Sequence, residues 1–245
     1  MMKCLILAAG YATRLYPLTE NFPKPLLKVG EKSILDWLID DMDQTGLVDE
    51  YIIISNHKFA SIFEDWSKGR YTIVDDGTSS NETRLGAVKE IQFAIEQLQL
   101  DDDLLVMAGD NLLDFSLAGF IRYAKEKDAT CVMRYYEPDE ARLHKSGVAE
   151  IDADGRLLSM EEKPACPKSH WCVPAFYYYT REDAHLIRKG IENGCGTDAP
   201  GSFIAWLCGQ TRVYAWEMPG RRYDIGNLAS YEEVKETFGG VRSKN

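Results

Sequence analysis

The sequence predicts an α/β fold: a mixed sheet with helices on both faces and a small second lobe of β hairpins, all within one domain. Three observations carry this. Apolar runs of strand length alternate with amphipathic stretches of helical period through residues 1–135. Beyond residue 135 the pattern changes to hairpins and aromatic runs, two of them joined by Asp154-Gly155. The 245 residues, 45% hydrophobic, can bury one sizeable core but would make two full domains cramped.

The apolar run at residues 4–8 is one buried strand, broken at Ala9-Gly10 into a loop. Ser33 caps a helix whose apolar positions Ile34, Trp37, Leu38 and Met42 recur up to Gly46. Residues 51–55 are a second strand, 58–66 a short helix and 71–74 a third strand. A polar loop over 78–82 follows, then a helix over 85–98, a strand over 103–108, a helix over 116–127 and a strand over 129–135. Residues 147–151 and 157–160 form a hairpin, and 171–179 a long aromatic-rich strand. Helices at 181–193 and 201–208, a last strand at 212–217 and a closing helix at 231–238 complete the fold. The division expected is 1–238 as one domain, with halves 1–135 and 136–238, and 239–245 as a flexible tail.

Composition narrows the function. A formal net charge of -11 argues against general nucleic-acid binding, which needs surplus Lys and Arg, yet allows a local cation cluster to hold a nucleotide. Six scattered cysteines form no C-x-x-C pair, and four histidines stand isolated, so neither disulfide staples nor a structural zinc site is expected. No stretch is long and apolar enough to span a membrane, and the chain reads as cytoplasmic with no membrane partner.

The chemistry concentrates in residues 3–29, KCLILAAGYATRLYPLTENFPKPLLKV. A strand hands the chain to a loop in which Gly10 allows close approach of a ligand and Thr13 can donate to anionic oxygens. Arg14 offers a planar fork suited to phosphate, and Lys24 stands between Pro23 and Pro25, whose fixed φ angles limit the loop. Any one of these alone suits an ordinary corner; together they point to polyphosphate. The two standard glycine-rich nucleotide patterns do not fit here, and the G-x-G-x-x-A run at 194–199 follows a helical segment and reads as a turn. In an α/β sheet, ligands sit beyond the carboxyl ends of the strands, which places Gly10, Asn56, the loop at 78–84 and Asp110 around one crevice. Asp110 in Gly109-Asp110 suits either a cap or a metal ligand, and Asp224 in Tyr223-Asp224-Ile225-Gly226 suits either a cap for the closing helix or a second ligand.

The run LAAGYATRLYPLTENFPKPLLKV resembles the signature of the sugar-1-phosphate nucleotidylyltransferases (glucose-1-phosphate thymidylyltransferase-like), departing at Ala12, where that family usually has Gly. The resemblance extends to Gly109-Asp110-Asn111, Gly147-Val148-Ala149-Glu150, Glu162-Lys163-Pro164 and Tyr223-Asp224-Ile225-Gly226. It implies a Rossmann-like (GT-A-like) sheet with a nucleotide-binding half, 1–135, and an acceptor-binding β lobe within 136–238. It also implies transfer of a nucleoside monophosphate from the triphosphate to a sugar 1-phosphate, with Mg²⁺ as cofactor held by Asp110 and Asp224. Arg14 and Lys24 are then catalytic; Ala8, Ala9, Gly10, Thr13, Thr83 and Gly86 bind the nucleotide; Asn111, Gly147, Glu162 and Lys163 bind the acceptor. The partners implied are a nucleoside triphosphate and a phosphorylated small molecule.

The base is open between thymine or uracil and cytosine, since no Gln stands in Asn81-Glu82-Thr83-Arg84-Leu85-Gly86. Ala175, where sugar-selecting relatives have Gly, leaves room for other sugars, alditol phosphates or phosphocholine, so a cytidylyltransferase of a non-sugar phosphate is an alternative. A glycosyltransferase would normally show D-x-D, which Asp110-Asn111-Leu112 does not supply, and a non-catalytic nucleotide sensor would be expected to lose Arg14, Lys24 or an aspartate. The sequence does not indicate an oligomeric state, and no allosteric nucleotide site is expected.

Overall fold

The computed structural model describes residues 1–242, which divide into two compact units. The first gathers Lys3–Arg84, Ala108–Gly119 and the described residues from Pro219 onward; the second gathers Met1–Met2, Leu85–Met107 and Phe120–Met218. This partition is discontinuous in sequence and differs from the expected halves at residue 135.

The first unit is built on parallel strands, with Glu50–Ser55 between Met2–Leu7 and Thr72–Asp75. Their central residues are apolar on both faces, as buried parallel strands require: Leu5, Ile6, Ile52, Ile53 and Ile54 are fully buried. The helix Ile34–Thr45 starts where expected. Ser33 accepts from the Asp36 N–H while the Asp36 carboxylate accepts from the Ser33 N–H, a reciprocal cap, and Gly46 ends the helix in the left-handed conformation. A two-stranded antiparallel ribbon, Asn111–Leu113 with Arg222–Asp224, was not anticipated. The closing helix, Leu228–Thr237, begins earlier than expected because Asn227 caps it, accepting from the Ser230 N–H. Of the segment expected to be a flexible tail, residues 243–245 lie outside the described ones. Arg242 donates its N–H to the Asp114 carbonyl and pairs with the buried Asp114 carboxylate at 2.9 Å.

The second unit is a mixed sheet in the order Leu157–Glu162, Gly147–Ile151, Trp171–Val173, Thr130–Tyr136, Phe176–Tyr179, Asp103–Ala108, and Val213–Glu217 also pairs with Thr130–Tyr136, in parallel. The hairpin at Asp154-Gly155 forms, with Gly155 at φ +83°. Two expectations are corrected here. The strand expected over 171–179 is two strands interrupted at Pro174-Ala175, because Pro174 cannot donate to a ladder; both pieces pair with Thr130–Tyr136, but on their other edges Trp171–Val173 takes Gly147–Ile151 and Phe176–Tyr179 takes Asp103–Ala108. The helix expected over 181–193 is likewise two short ones, Arg181–Ala184 and Ile187–Glu192. Phe176–Tyr179 lies antiparallel between Asp103–Ala108 and Thr130–Tyr136, so those two strands are not adjacent as a simple doubly wound order would have them. The helices Ala87–Leu98, Ile187–Glu192 and Gly201–Leu207 pack in sequence on this unit.

Candidate active site

The expected phosphate loop closes as two short 3-10 turns, Thr13–Leu15 and Lys24–Leu26. Ala12 enters the first with φ +46°, the left-handed conformation in which glycine is unstrained and alanine costs about 1 kcal/mol. Hydrogen bonds hold it there: the Ala12 carbonyl accepts from Leu15 N–H at 2.9 Å and from the hydroxyl of buried Thr19 at 2.8 Å. Two further clamps fix the loop. Asn56, fully buried at the end of its strand, donates Nδ2 to the Ala9 carbonyl at 2.8 Å, and Tyr11 donates its hydroxyl to the Thr78 carbonyl at 3.1 Å.

These constraints shape a cleft of about 410 Å³ within the first unit, a volume suited to a small-molecule ligand. Ala8, Gly10, Thr13, Arg14, Lys24 and Asp110 all line it. Asn81 and Arg84 line it as well, and Arg84 Nη1 donates to the Asn81 carbonyl at 3.1 Å. Arg14 is exposed and forms no ion pair among the described residues, so its donors are available to an anion. Lys24 is buried, 6% exposed, and its ammonium donates to Asp110 Oδ2 at 2.7 Å. A buried lysine needs such a partner. Burial raises the Asp110 carboxyl, but Lys24 and Arg222 outweigh it and hold that carboxyl below the usual range, so Asp110 is ionised at neutral pH.

Asp224 lies opposite Asn111 in the ribbon, which brings it to the same ribbon end as Asp110. Its alternative role as a helix cap is taken by Asn227. With 58% of the Asp224 side chain and 39% of Asp110 exposed, both carboxylates remain open to a ligand. Among the described residues no cluster of three or more metal-binding side chains exists. Two hard carboxylates beside a phosphate cleft still fit Mg²⁺, which usually takes one or two carboxylates and completes its shell with water and phosphate oxygens.

Other expected residues stand differently. Asn111, expected to face the acceptor, is 5% exposed, and its amide is engaged at both ends: Oδ1 accepts from Arg222 Nη1 at 2.6 Å and Nδ2 donates to Asp110 Oδ1 at 2.7 Å. Thr83 is exposed in the first unit and bonds locally to Ser80. Gly86, Gly147, Glu162 and Lys163 belong to the second unit. At Gly86 (φ +89°), expected to bind the nucleotide, the Thr197 carbonyl stands 2.5 Å from where a Cβ would sit. The next two amides, Ala87 and Val88, donate to the Asp198 and Thr197 carbonyls. The run at 194–199 is a turn, as expected. Glu162 lies against Gly147 and Gly201, whose N–H it accepts; burial raises its carboxyl above the usual range, against the pull of Lys163 and that N–H. Lys163 is exposed with φ +49°. The sequence does not single out Arg222, which joins this cluster by its hydrogen bond to Asn111, 111 residues away.

The first α/β unit gathers an open arginine, a lysine paired with an aspartate, and a second, largely exposed carboxylate about one cleft and one ribbon end, an arrangement with the charges that a phosphorylated ligand would need. The profile of the family described as nucleotidyl transferase matches residues 3–239, and the chain belongs to that family. A glucose-1-phosphate adenylyltransferase from Fervidobacterium nodosum is 25% identical over 94% of this chain and 59% of its own length. The UTP–glucose-1-phosphate uridylyltransferase AglF of Haloferax volcanii is 25% identical over 96% of both chains. The solved structure of a UDP-glucose pyrophosphorylase complexed with UDP-glucose superimposes with a TM-score of 0.81 at 21% identity, covering 97% of this chain and 98% of that one. The chain spans 51–61% of the length of three curated relatives it matches. Among the described residues no helix is long and apolar enough to cross a membrane.

Proposed function

We propose that the protein is a Mg²⁺-dependent nucleotidylyltransferase that joins the nucleoside monophosphate of an NTP to a sugar 1-phosphate, releasing pyrophosphate. The observation that carries this reading is the Lys24–Asp110 pair at 2.7 Å in the cleft that Arg14 and the Gly10 loop also line. It sets a buried cation and an ionised carboxylate where a polyphosphate would lie. The sugar 1-phosphate acceptor is supported by the named substrates of the relatives from F. nodosum and H. volcanii.

In this mechanism a non-bridging oxygen of the sugar phosphate attacks the α-phosphorus, and the bond from that phosphorus to the bridging oxygen breaks as pyrophosphate leaves. No covalent intermediate and no proton transfer are needed. Two anions must meet, so the protein's work is positioning and charge neutralisation. Arg14 binds the departing β- and γ-phosphates with its fork of donors. Lys24 holds the reacting phosphates, and the rigid loop at Gly10 and Thr13 supplies backbone and hydroxyl donors. Asp110 and Asp224 are the residues that would hold Mg²⁺, which supplies charge neutralisation at the α-phosphate. The six cysteines, all free, suit a reducing cytoplasm.

The test is pyrophosphate release by the purified protein with Mg²⁺, each nucleoside triphosphate being offered against sugar 1-phosphates, alditol phosphates and phosphocholine. Release that requires a sugar 1-phosphate is expected. Release with phosphocholine alone would replace the acceptor, and none with any pair would reject the reading.

A further inference from the structure

Arg222 lies on the ribbon strand Arg222–Asp224, with 20% of its side chain exposed. Its Nη1 donates to Asn111 Oδ1 at 2.6 Å and stands 3.9 Å from Asp224 Oδ2. Asn111 in turn donates Nδ2 to Asp110 Oδ1 at 2.7 Å, while Lys24 takes Oδ2. A primary amide has one accepting and one donating end, and a guanidinium has only donors. Arg222 therefore dictates which way the buried Asn111 amide faces: its oxygen toward the guanidinium and its nitrogen toward Asp110. Reversing the amide would set N–H against N–H and leave a carbonyl oxygen facing a carboxylate. The rotation of the Asp110 carboxylate is thus fixed from both sides, by a lysine directly and by an arginine through an amide. Each carboxylate oxygen keeps a lone pair beyond the bond it accepts.

We propose that Arg222 is a positioning residue for the aspartate pair, orienting Asp110 through Asn111 and Asp224 through its own ion pair, so that both carboxylates are presented to the same divalent cation. This rests on the reading that Asp110 and Asp224 hold the metal. It gives Asn111 the role of a strut rather than an acceptor contact.

The experiment titrates Mn²⁺ alone into the metal-free full-length protein and follows free Mn²⁺ by electron paramagnetic resonance. Arg222→Ala and Asn111→Ala should each weaken binding by about 10- to 100-fold, as removing a group that orients a metal ligand does. The double variant should be little worse than Arg222→Ala alone, because Asn111 acts in series with Arg222 while the hold on Asp224 is lost with Arg222 itself, and Arg222→Lys, which keeps a charged donor, should recover part of the loss. Wild-type affinity in folded Arg222→Ala, or losses that multiply in the double variant, would overturn the proposal. Should Arg222→Ala fail to fold, Arg222→Met, which keeps the packed stem, is judged by the same criteria. Asp110→Asn is the control: wild-type Mn²⁺ affinity in it would overturn the metal reading and this proposal together. Loss in Asp110→Asn without loss in Arg222→Ala overturns the positioning role alone.

Discussion

The two units treat their polar groups in opposite ways. In the first, charge is gathered at an open cleft: Arg14 has no ion-pair partner among the described residues, Lys24 and Asp110 hold each other, and Asp224 is largely exposed. In the second, the residues singled out by sequence are mostly occupied by the fold itself. Gly86 receives the Thr197 carbonyl, and Glu162 lies on the Gly201 N–H. The difference teaches that a motif residue's chemistry is decided by what its polar atoms already touch. Substitutions in the first unit should therefore change catalysis more than stability, and those in the second stability as much as catalysis.

The largest expected effect is that of Asp110→Asn, which should lower pyrophosphate release about a thousand-fold or more while the protein stays folded. Steady-state kinetics beside a circular-dichroism melt would read both; near-normal turnover would remove the distinction between the units. Arg14→Ala should cost roughly a hundred-fold in turnover and leave the melting temperature nearly unchanged, since its side chain is exposed. A large stability loss there would show that Arg14 is structural.

Gly86→Ala should behave in the reverse way. A Cβ 2.5 Å from a backbone carbonyl, at a φ that alanine resists, should destabilise the protein by about 2–4 kcal/mol in urea unfolding. The smallest effect belongs to Glu162→Gln and is a matter of pH. A carboxyl raised in the folded state binds its proton more tightly there than in the unfolded chain, so stability declines as pH rises from the usual Glu range through the raised value. Asp110 has the opposite sign: its contribution is present above the usual carboxylate range and is lost as pH falls through the lowered value. Denaturant midpoints measured across pH should show Glu162→Gln gaining slightly on the wild type at neutral pH, and Asp110→Asn losing its acid-limb dependence.

Much of the first unit was legible because its signals are local. Ser33 with Asp36, the strand break at Gly10 and the flanking of Lys24 by prolines each lie within a few residues. The strand Asp103–Ala108 delivering Asp110 was equally plain. What escaped depends on distant partners. The insertion of Phe176–Tyr179 between two strands that come earlier in the chain, the ribbon pairing Asp224 with Asn111, and the hold of Arg222 on Asn111 have no sequence-local trace. Glu162 resembled a ligand contact because its motif does; its seat at Gly201 depends on a helix about 40 residues away.

The measurement that bears most directly on the central claim is phosphorus NMR of wild-type protein incubated with Mg²⁺, a nucleoside triphosphate and a sugar 1-phosphate. The account predicts paired diphosphate resonances of a nucleotide sugar growing in step with pyrophosphate, and neither signal with Asp110→Asn. Inorganic phosphate with nucleoside diphosphate, or an unchanged triphosphate with every substrate pair, would contradict it.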